Sequence, residues 1–220
     1  LLKEYKAVFI ATGLSKQKSG DIVGSNANGV YQALDLLNAA KKEKLPPIGK
    51  RVVVIGGGDT ALDAARVAKR NGSECLVLYR RTQKEMPAYP VEIMHAWNEG
   101  VEFYFRTIVR SVVSDGNVKG IRCVRIKWRD EVHGRAKSYD VEGTEFTIAC
   151  DSVILALGQK PDSIFGLRAT PNNLLAVTKD TFMTSEAGIF AGGDVTMGGG
   201  TAARAVGVGK QAAIKIDEYL

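Results

Sequence analysis

The chain is poor in the side chains that carry most enzymatic chemistry. Among 220 residues it has three cysteines, two histidines and two tryptophans. Cys75, Cys123 and Cys150 are widely separated and odd in number, so they supply neither a disulfide framework nor the spacing of a metal or iron–sulfur site. Without a C-x-x-C there is no dithiol redox centre, and Cys75 and Cys123, placed in expected strands, read as packing residues. His95 and His133 stand alone in an expected helix and an expected turn, with no nucleophile beside them, and no catalytic side chain is assigned. No apolar run approaches the ~18 residues needed to span a bilayer, and LLKEYKAVFIATG lacks a signal-peptide layout. The expected location is the cytoplasm. Low-complexity sequence is also missing. A hydrophobic content of 45% suits a folded domain, and the net charge of +6 is read as a solvated surface and an anionic cofactor. The basic strand IRCVRIKWRD carries no recognised RNA-binding signature, so neither nucleic acid nor membrane is an expected partner.

What the chain does have is concentrated in RVVVIGGGDTALDAARVAKRNGSECLVLYRR, residues 51–81. Val52, Val53, Val54 and Ile55 form a β-branched run without alternation, the pattern of a strand covered on both faces of a parallel sheet. Gly56 permits a tight turn, Gly58 admits a pyrophosphate to the backbone, and Ala61 fills the third small position of G-x-G-x-x-A. The helix starting near Asp59 and Thr60 offers N–H groups and a partial positive charge to the phosphates. Ala61, Ala64, Ala65 and Ala68 give it a thin face that can lie close to the sheet. An NAD site places an acid about 20 residues past the glycines. This chain has Tyr79, Arg80 and Arg81 there, and an arginine fork matches a 2′-phosphate in charge and geometry. The expected dinucleotide is NADPH.

Around this unit the pattern is of one domain inserted into another. KAVFI is a short strand running into Ala11, Thr12 and Gly13, followed by a polar linker over residues 14–29. A helix is expected over residues 30–42, stopped by Pro46 and Pro47. TQKEMPAYP reads as a loop, residues 91–98 as a helix and residues 101–105 as a third parallel strand. Runs at 108–113, 118–128 and 145–148 read as an antiparallel meander. A second nucleotide-type signal then appears in DSVILALGQKPD, and TSEAGIFAGGDV leads to a helix over residues 201–219. There a strand ending in a buried acid, Asp194, beside a helix N-terminus suits a polyol and a pyrophosphate. Gly207 to Ala212 also fits G-x-G-x-x-A, but it lies inside that last helix with no strand before it and cannot form the turn.

IATG, VVVIGGGDTALDAARVAKRNG, YRRTQKEMPAYP, VILALGQKPD and TSEAGIFAGGDV together resemble the small (beta) subunit of bacterial NADPH-dependent glutamate synthase and its relatives among the two-dinucleotide-binding flavoprotein oxidoreductases. The resemblance covers nearly the whole chain. It implies an α/β fold in which a Rossmann-like NADPH-binding domain with an antiparallel β-meander, residues 22–150, is inserted into a partial FAD-binding domain of related fold, residues 1–21 and 151–220. By motif, Gly56, Gly58, Asp59 and Thr60 hold the NADPH pyrophosphate, and Arg80 and Arg81 hold the 2′-phosphate. Ala156 and Gly158 lie near the nicotinamide, Gly193 and Asp194 contact the FAD ribityl and pyrophosphate, and Thr201 and Ala202 face the flavin. The family's earlier G-x-G-x-x-G unit, which grips the ADP half of FAD, and its cysteine-rich iron–sulfur region do not occur in the sequence. The chain is therefore expected to be shortened or one piece of a larger polypeptide, to bind NADPH, and to hold FAD weakly or not at all. The implied partner is a large amidotransferase subunit or another electron-accepting protein; the sequence leaves the oligomeric state open.

Overall fold

In the computed structural model, which describes residues 1–18, 20, 22–129, 137–162 and 164–220, the chain divides into two compact units. Leu1–Lys18 joins Gln159–Leu220 in one, and Ser19–Gly158 forms the other. The second unit thus lies, in sequence, between the two segments of the first. His133 and the expected boundary at residue 21 fall outside the described residues.

The outer unit begins with β1 (Val8–Ile10) and β2 (Lys16–Gln17). The inserted unit runs through β3 (Val30–Gln32), α1 (Ala33–Lys41), β4 (Arg51–Ile55), α2 (Asp59–Arg70), β5 (Glu74–Tyr79), a 3-10 turn at Gln83–Glu85, α3 (Pro90–Asn98), β6 (Glu102–Phe105), β7 (Thr107–Ser114), β8 (Val118–Arg129), β9 (Lys137–Asp140), β10 (Phe146–Ala149) and β11 (Ser152–Leu155). The outer unit resumes with β12 (Gln159–Lys160), β13 (Ile189–Ala191), α4 (Asp194–Met197) and α5 (Ala202–Tyr219).

In the inserted unit, five parallel strands lie in the order β3-β11-β4-β5-β6. Strand β4 explains why the sequence does not alternate. Val52 and Val54 enter a core built with Ala61, Leu62, Ala64, Ala65 and Ala68 of α2, while Val53 and Ile55 enter a second core with Val109, Val112, Ile121 and Cys123 of the antiparallel strands. Successive side chains point to opposite faces, and here both faces are covered. Each fully buried Val or Ile contributes roughly 1.5–3 kcal/mol. The four alanines of α2 are completely buried, so the helix backbone lies close to the sheet. Lys69 and Arg70 complement its C-terminal dipole, and Gly72 at φ 88 turns the chain into β5.

The antiparallel layer pairs β7, β8 and β10, with β9 against the far end of β8. Three expectations are corrected. Residues 30–32 form strand β3, where a helix was expected: backbone pairing with β11 from far along the chain outweighs the local helical spacing of Val30, Leu34 and Leu37. The boundary expected between residues 150 and 151 moves to 158 and 159. Strand β11 pairs with β3 and β4 and belongs to the inserted unit, because an isolated apolar strand reads the same in either sheet. Asp194, expected as a buried acid, is half-buried, and the helix it opens is the four-residue α4, with α5 following separately.

In the outer unit β1 and β13 pair in parallel, β12 and β2 pair antiparallel, and Leu167, Leu175, Ala191 and Val195 form a small core. Gly207 and Gly209 lie inside α5, as the rejection of that second motif requires.

Candidate functional site

The inserted unit has its topological switch point between β4 and β11. From β4 the chain proceeds through β5 and β6 on one side, and β11 and β3 extend the sheet on the other. In open parallel sheets the crevice outside the carboxyl ends of the strands at such a point is where ligands bind. Gly56, Ala156 and Gly158 follow those strand ends directly.

Gly56 has φ 153, and a Cβ there would lie 2.5 Å from the Ala156 carbonyl oxygen. No larger residue brings the two strand ends this close. Gly57 is buried against Tyr79: a Cβ would meet the ring at 2.4 Å. Gly58 is different, since only Pro87 Cγ, at 3.9 Å, comes near its would-be Cβ. The open backbone at the start of α2 is thus at Gly58, the position assigned to a pyrophosphate approach. Gly58 is the N-cap, and Asp59 and Thr60 form the first turn, both half-buried.

The TQKEMPAYP segment packs beside this turn. The Ala88 N–H donates to the Gly57 carbonyl at 3.3 Å, and the Tyr89 N–H donates to the Asp59 carboxylate at 2.9 Å. The Tyr79 hydroxyl donates to the Glu85 carbonyl at 2.8 Å, and burial pushes that phenol up from its ordinary value. Thr82 donates from its N–H and its hydroxyl to the Glu85 carboxylate at 3.1 and 2.8 Å. Those bonds hold Glu85 below the usual carboxylate range, with Arg81 and Arg106 adding to the shift. Pro90 then opens α3 at the position where a missing N–H costs nothing.

Arg80 and Arg81 follow the end of β5, next to β4. Arg80 is exposed and Arg81 half-buried, with its guanidinium carbon 5.1 Å from the centroid of the Trp128 ring. Glu74, at the opposite end of β5, pairs with Arg51 at 3.6 Å on the surface. The acid thus lies away from the strand ends that form the crevice, and arginines stand beside it.

Eight of the residues singled out in the sequence, Gly56, Gly58, Asp59, Thr60, Arg80, Arg81, Ala156 and Gly158, lie in the inserted unit at or just beyond the carboxyl ends of β4, β5 and β11. Gly193, Asp194, Thr201 and Ala202 lie in the outer unit. Gly193 has φ 76, caps α4, and has only Ala205 Cβ, at 3.9 Å, near a would-be Cβ. Thr201 caps α5, its hydroxyl accepting from the Arg204 N–H at 3.2 Å, and Ala202 is the first residue of that helix. Sequence reasoning missed Gly57, Arg106 and Trp128. The spacing of Gly57 to Tyr79 matches a glycine turn facing the next strand and could have flagged it. Trp128 stands 48 residues from Arg80, and nothing local connects them.

The cysteines are free and buried, and burial raises Cys75 and Cys123 to about 12 and Cys150 to about 11, so none is a thiolate at neutral pH. Among the described residues no cluster of three or more His, Cys, Asp or Glu could hold a metal ion, and no helix is long and apolar enough to cross a membrane.

The chain is 38% identical over 229 residues to the beta subunit of an NADP(+)-dependent formate dehydrogenase of Moorella thermoacetica, covering all of this chain and 32% of that protein. It is 36% identical over 239 residues to the glutamate synthase (NADPH) small chain of Azospirillum brasilense, again over its full length and over 50% of the relative. The chain therefore spans about a third of the first of these relatives and half of the second. Among solved structures, FprA of Mycobacterium tuberculosis has the same fold, with a TM-score of 0.85 at 16% identity over 99% of this chain and 65% of that one. Residues 3–209 match the family described as pyridine nucleotide-disulphide oxidoreductase. That match takes in the glycine turn, the parallel sheet and nearly the whole chain, which belongs to the pyridine nucleotide-disulphide oxidoreductase family.

Proposed function

We propose that this chain is the NADPH-binding and partial FAD-binding region of a flavin-dependent oxidoreductase that passes a hydride from NADPH to FAD and on to an iron–sulfur or partner-subunit acceptor, as in glutamate synthase. The observation that carries the reading is the crevice at the switch point, where an open Gly58 backbone and a helix N-terminus stand beside a strand ending in paired arginines. Gly56, Gly58, Asp59 and Thr60 would hold the pyrophosphate, Arg80 and Arg81 the 2′-phosphate, and Ala156 and Gly158 the approach to the nicotinamide. Gly193 and Asp194 would contact the FAD ribityl and pyrophosphate, with Thr201 and Ala202 toward the flavin. When bound, the nicotinamide supplies a hydride and the flavin accepts it, a transfer governed by stacking and orientation. The protein's part is to bind and orient, which agrees with the lack of any nucleophile–base pair in the sequence. A large amidotransferase subunit, or another electron acceptor, is the proposed partner, and the cytoplasm the proposed location.

A second reading is favoured by the contrast between the units: the isolated chain is an NADPH-binding module without turnover. The nucleotide sheet of the inserted unit has five strands, whereas the parallel pairing described in the outer unit is β1 with β13 alone. The deciding experiment is a visible spectrum of the purified chain followed by calorimetric titration with NADPH and with NADH. Yellow protein that prefers NADPH supports the first reading, and colourless protein with the same preference supports the second. Arg80→Ala with Arg81→Ala should lower NADPH affinity about 10- to 100-fold and leave NADH binding nearly unchanged; an unchanged preference would remove the 2′-phosphate assignment.

A further inference from the structure

The two arginines after β5 are held by a residue from the other layer of the inserted unit. Trp128, near the end of β8, places its indole against the Arg81 guanidinium at 5.1 Å. Its Nε1–H donates to the Arg80 carbonyl at 3.3 Å. The same side chain therefore contacts the cation of one arginine and the backbone of the other. From the corner between β6 and β7, the Arg106 N–H donates to the Arg81 carbonyl at 3.0 Å, and the Arg106 carbonyl accepts from the Ile126 N–H at 2.9 Å. Arg106 sits at φ 52, a conformation rarely adopted by residues other than glycine, and these two bonds tie it to both neighbouring strands. Both carbonyls of the arginine pair are thus fixed from outside β5.

A guanidinium resting on an aromatic ring uses its face for that contact and leaves its N–H donors in the plane around the edge. Those edge donors form the fork that grips a phosphate. The ring contact also restricts the side chain before the anion arrives, so less rotamer freedom is lost on binding. Glu85 is an acid close enough to feel the Arg81 charge, and Thr82 holds its Oε2 with two bonds.

We propose that Trp128 is a specificity-determining positioning residue, presenting the Arg81 guanidinium edge-on to the 2′-phosphate and so favouring NADPH over NADH. The inference rests on the reading of Arg80 and Arg81 as the 2′-phosphate site, and the test separates the two. The chain and its Trp128→Leu, Trp128→Phe and Arg81→Ala variants are titrated with NADPH, NADH and adenosine 2′,5′-bisphosphate. Trp128→Leu should weaken NADPH and the bisphosphate about two- to fivefold and leave NADH unchanged. Trp128→Phe, which keeps a ring face, should lose less. In a Trp97→Phe background, where Trp128 is the remaining tryptophan, adenosine 2′,5′-bisphosphate should change the emission and adenosine 5′-monophosphate should not. Equal weakening of NADPH and NADH, or no change in either together with a silent emission, overturns the role of Trp128. If the wild-type chain does not prefer NADPH, or Arg81→Ala keeps the preference, the phosphate reading fails and this inference fails with it. Should Trp128→Leu not fold, Trp128→Phe and the emission measurement still decide.

Discussion

Two strand–glycine–acid turns occur in this chain, at residues 55–59 and 191–194, and their surroundings differ. The first leaves a strand with hydrogen-bonded neighbours on both sides and enters a helix of twelve residues. The second leaves β13, which pairs in parallel with β1 on one side and is bridged on the other only by residues 182–184, and enters a helix of four. At the first turn, backbone and ring atoms meet the glycines, from Ala156 at Gly56 and from Tyr79 at Gly57. At the second, the Phe9 ring and Val208 side chain press on Gly192 with no backbone atom among them, and Gly193, like Gly58 of the first, stands nearly open. A site enclosed by strands is fixed in shape before any ligand arrives. One bounded by side chains and a short helix depends more on what fills it.

Exchanging glycine for alanine at each turn tests this difference most directly. Gly56→Ala would combine an unfavourable φ with a clash against a backbone carbonyl, and is expected to cost about 2–4 kcal/mol and to abolish measurable NADPH binding. Gly193→Ala meets only the conformational penalty of a backbone at φ 76, ψ −155, a region essentially restricted to glycine, about 1–3 kcal/mol, and should leave NADPH affinity unchanged. Denaturant midpoints with parallel nucleotide titrations measure both. Similar losses of NADPH affinity for the two variants would break the comparison.

What the sequence made legible follows the same division. The glycine turn, the alanine face of α2 and the arginines after β5 could be read because each is local: strand, turn and helix follow one another within about one βαβ unit. Residues 30–32 could not, because their strand exists only through pairing with residues 153–155. The allegiance of β11 failed for the same reason. Trp128 was invisible as part of the site because a cation–π contact between layers leaves no periodic trace in the sequence. In the outer unit Asp194 was read as the end of a strand, and neither the short helix it opens nor its degree of burial could be read, because both depend on tertiary packing that spacing does not encode.

The helices behind the two turns differ as well. Arg66 of α2 is mostly buried and bridges Glu92 at 2.6 Å and Glu99 at 2.9 Å, tying α2 to α3, and Arg70 adds a bond to Glu99. On α5 Lys215 pairs with Glu218 at 2.7 Å on the surface. Arg66→Ala should destabilise by about 1–3 kcal/mol, because it takes from the partly buried Glu92 its arginine partner and leaves Glu99 to Arg70 alone. Lys215→Ala should stay within about 0.5 kcal/mol. The network also sets an acid limit. Glu99 is held below its ordinary 4.5, first by its bond to Arg70, so its contribution is present above that value and is lost as pH falls through the depressed one. Stability measured from pH 7 to 3 should therefore fall more steeply in the wild type than in Arg66→Ala.

A smaller effect of opposite sign comes from Asp63, also on α2. Burial raises its carboxyl above the usual 3.8, the Glu92 charge raises it further, and Arg66 only partly offsets them. Because the folded value is raised, the favourable contribution belongs to the protonated form: it is complete below the ordinary value and lost as pH rises through the folded one. Above that window the ionised Asp63 opposes the packing of α2 on α3. Asp63→Asn keeps the shape and removes the charge, so it should stabilise the chain at pH 7 by roughly 0.5 kcal/mol or less after solvent screening. The gain should vanish near pH 3, where the wild-type carboxyl is itself neutral. A gain that persisted at pH 3 would mean that asparagine stabilises through a new hydrogen bond, and that the charge on Asp63 does not strain the helix behind the first turn.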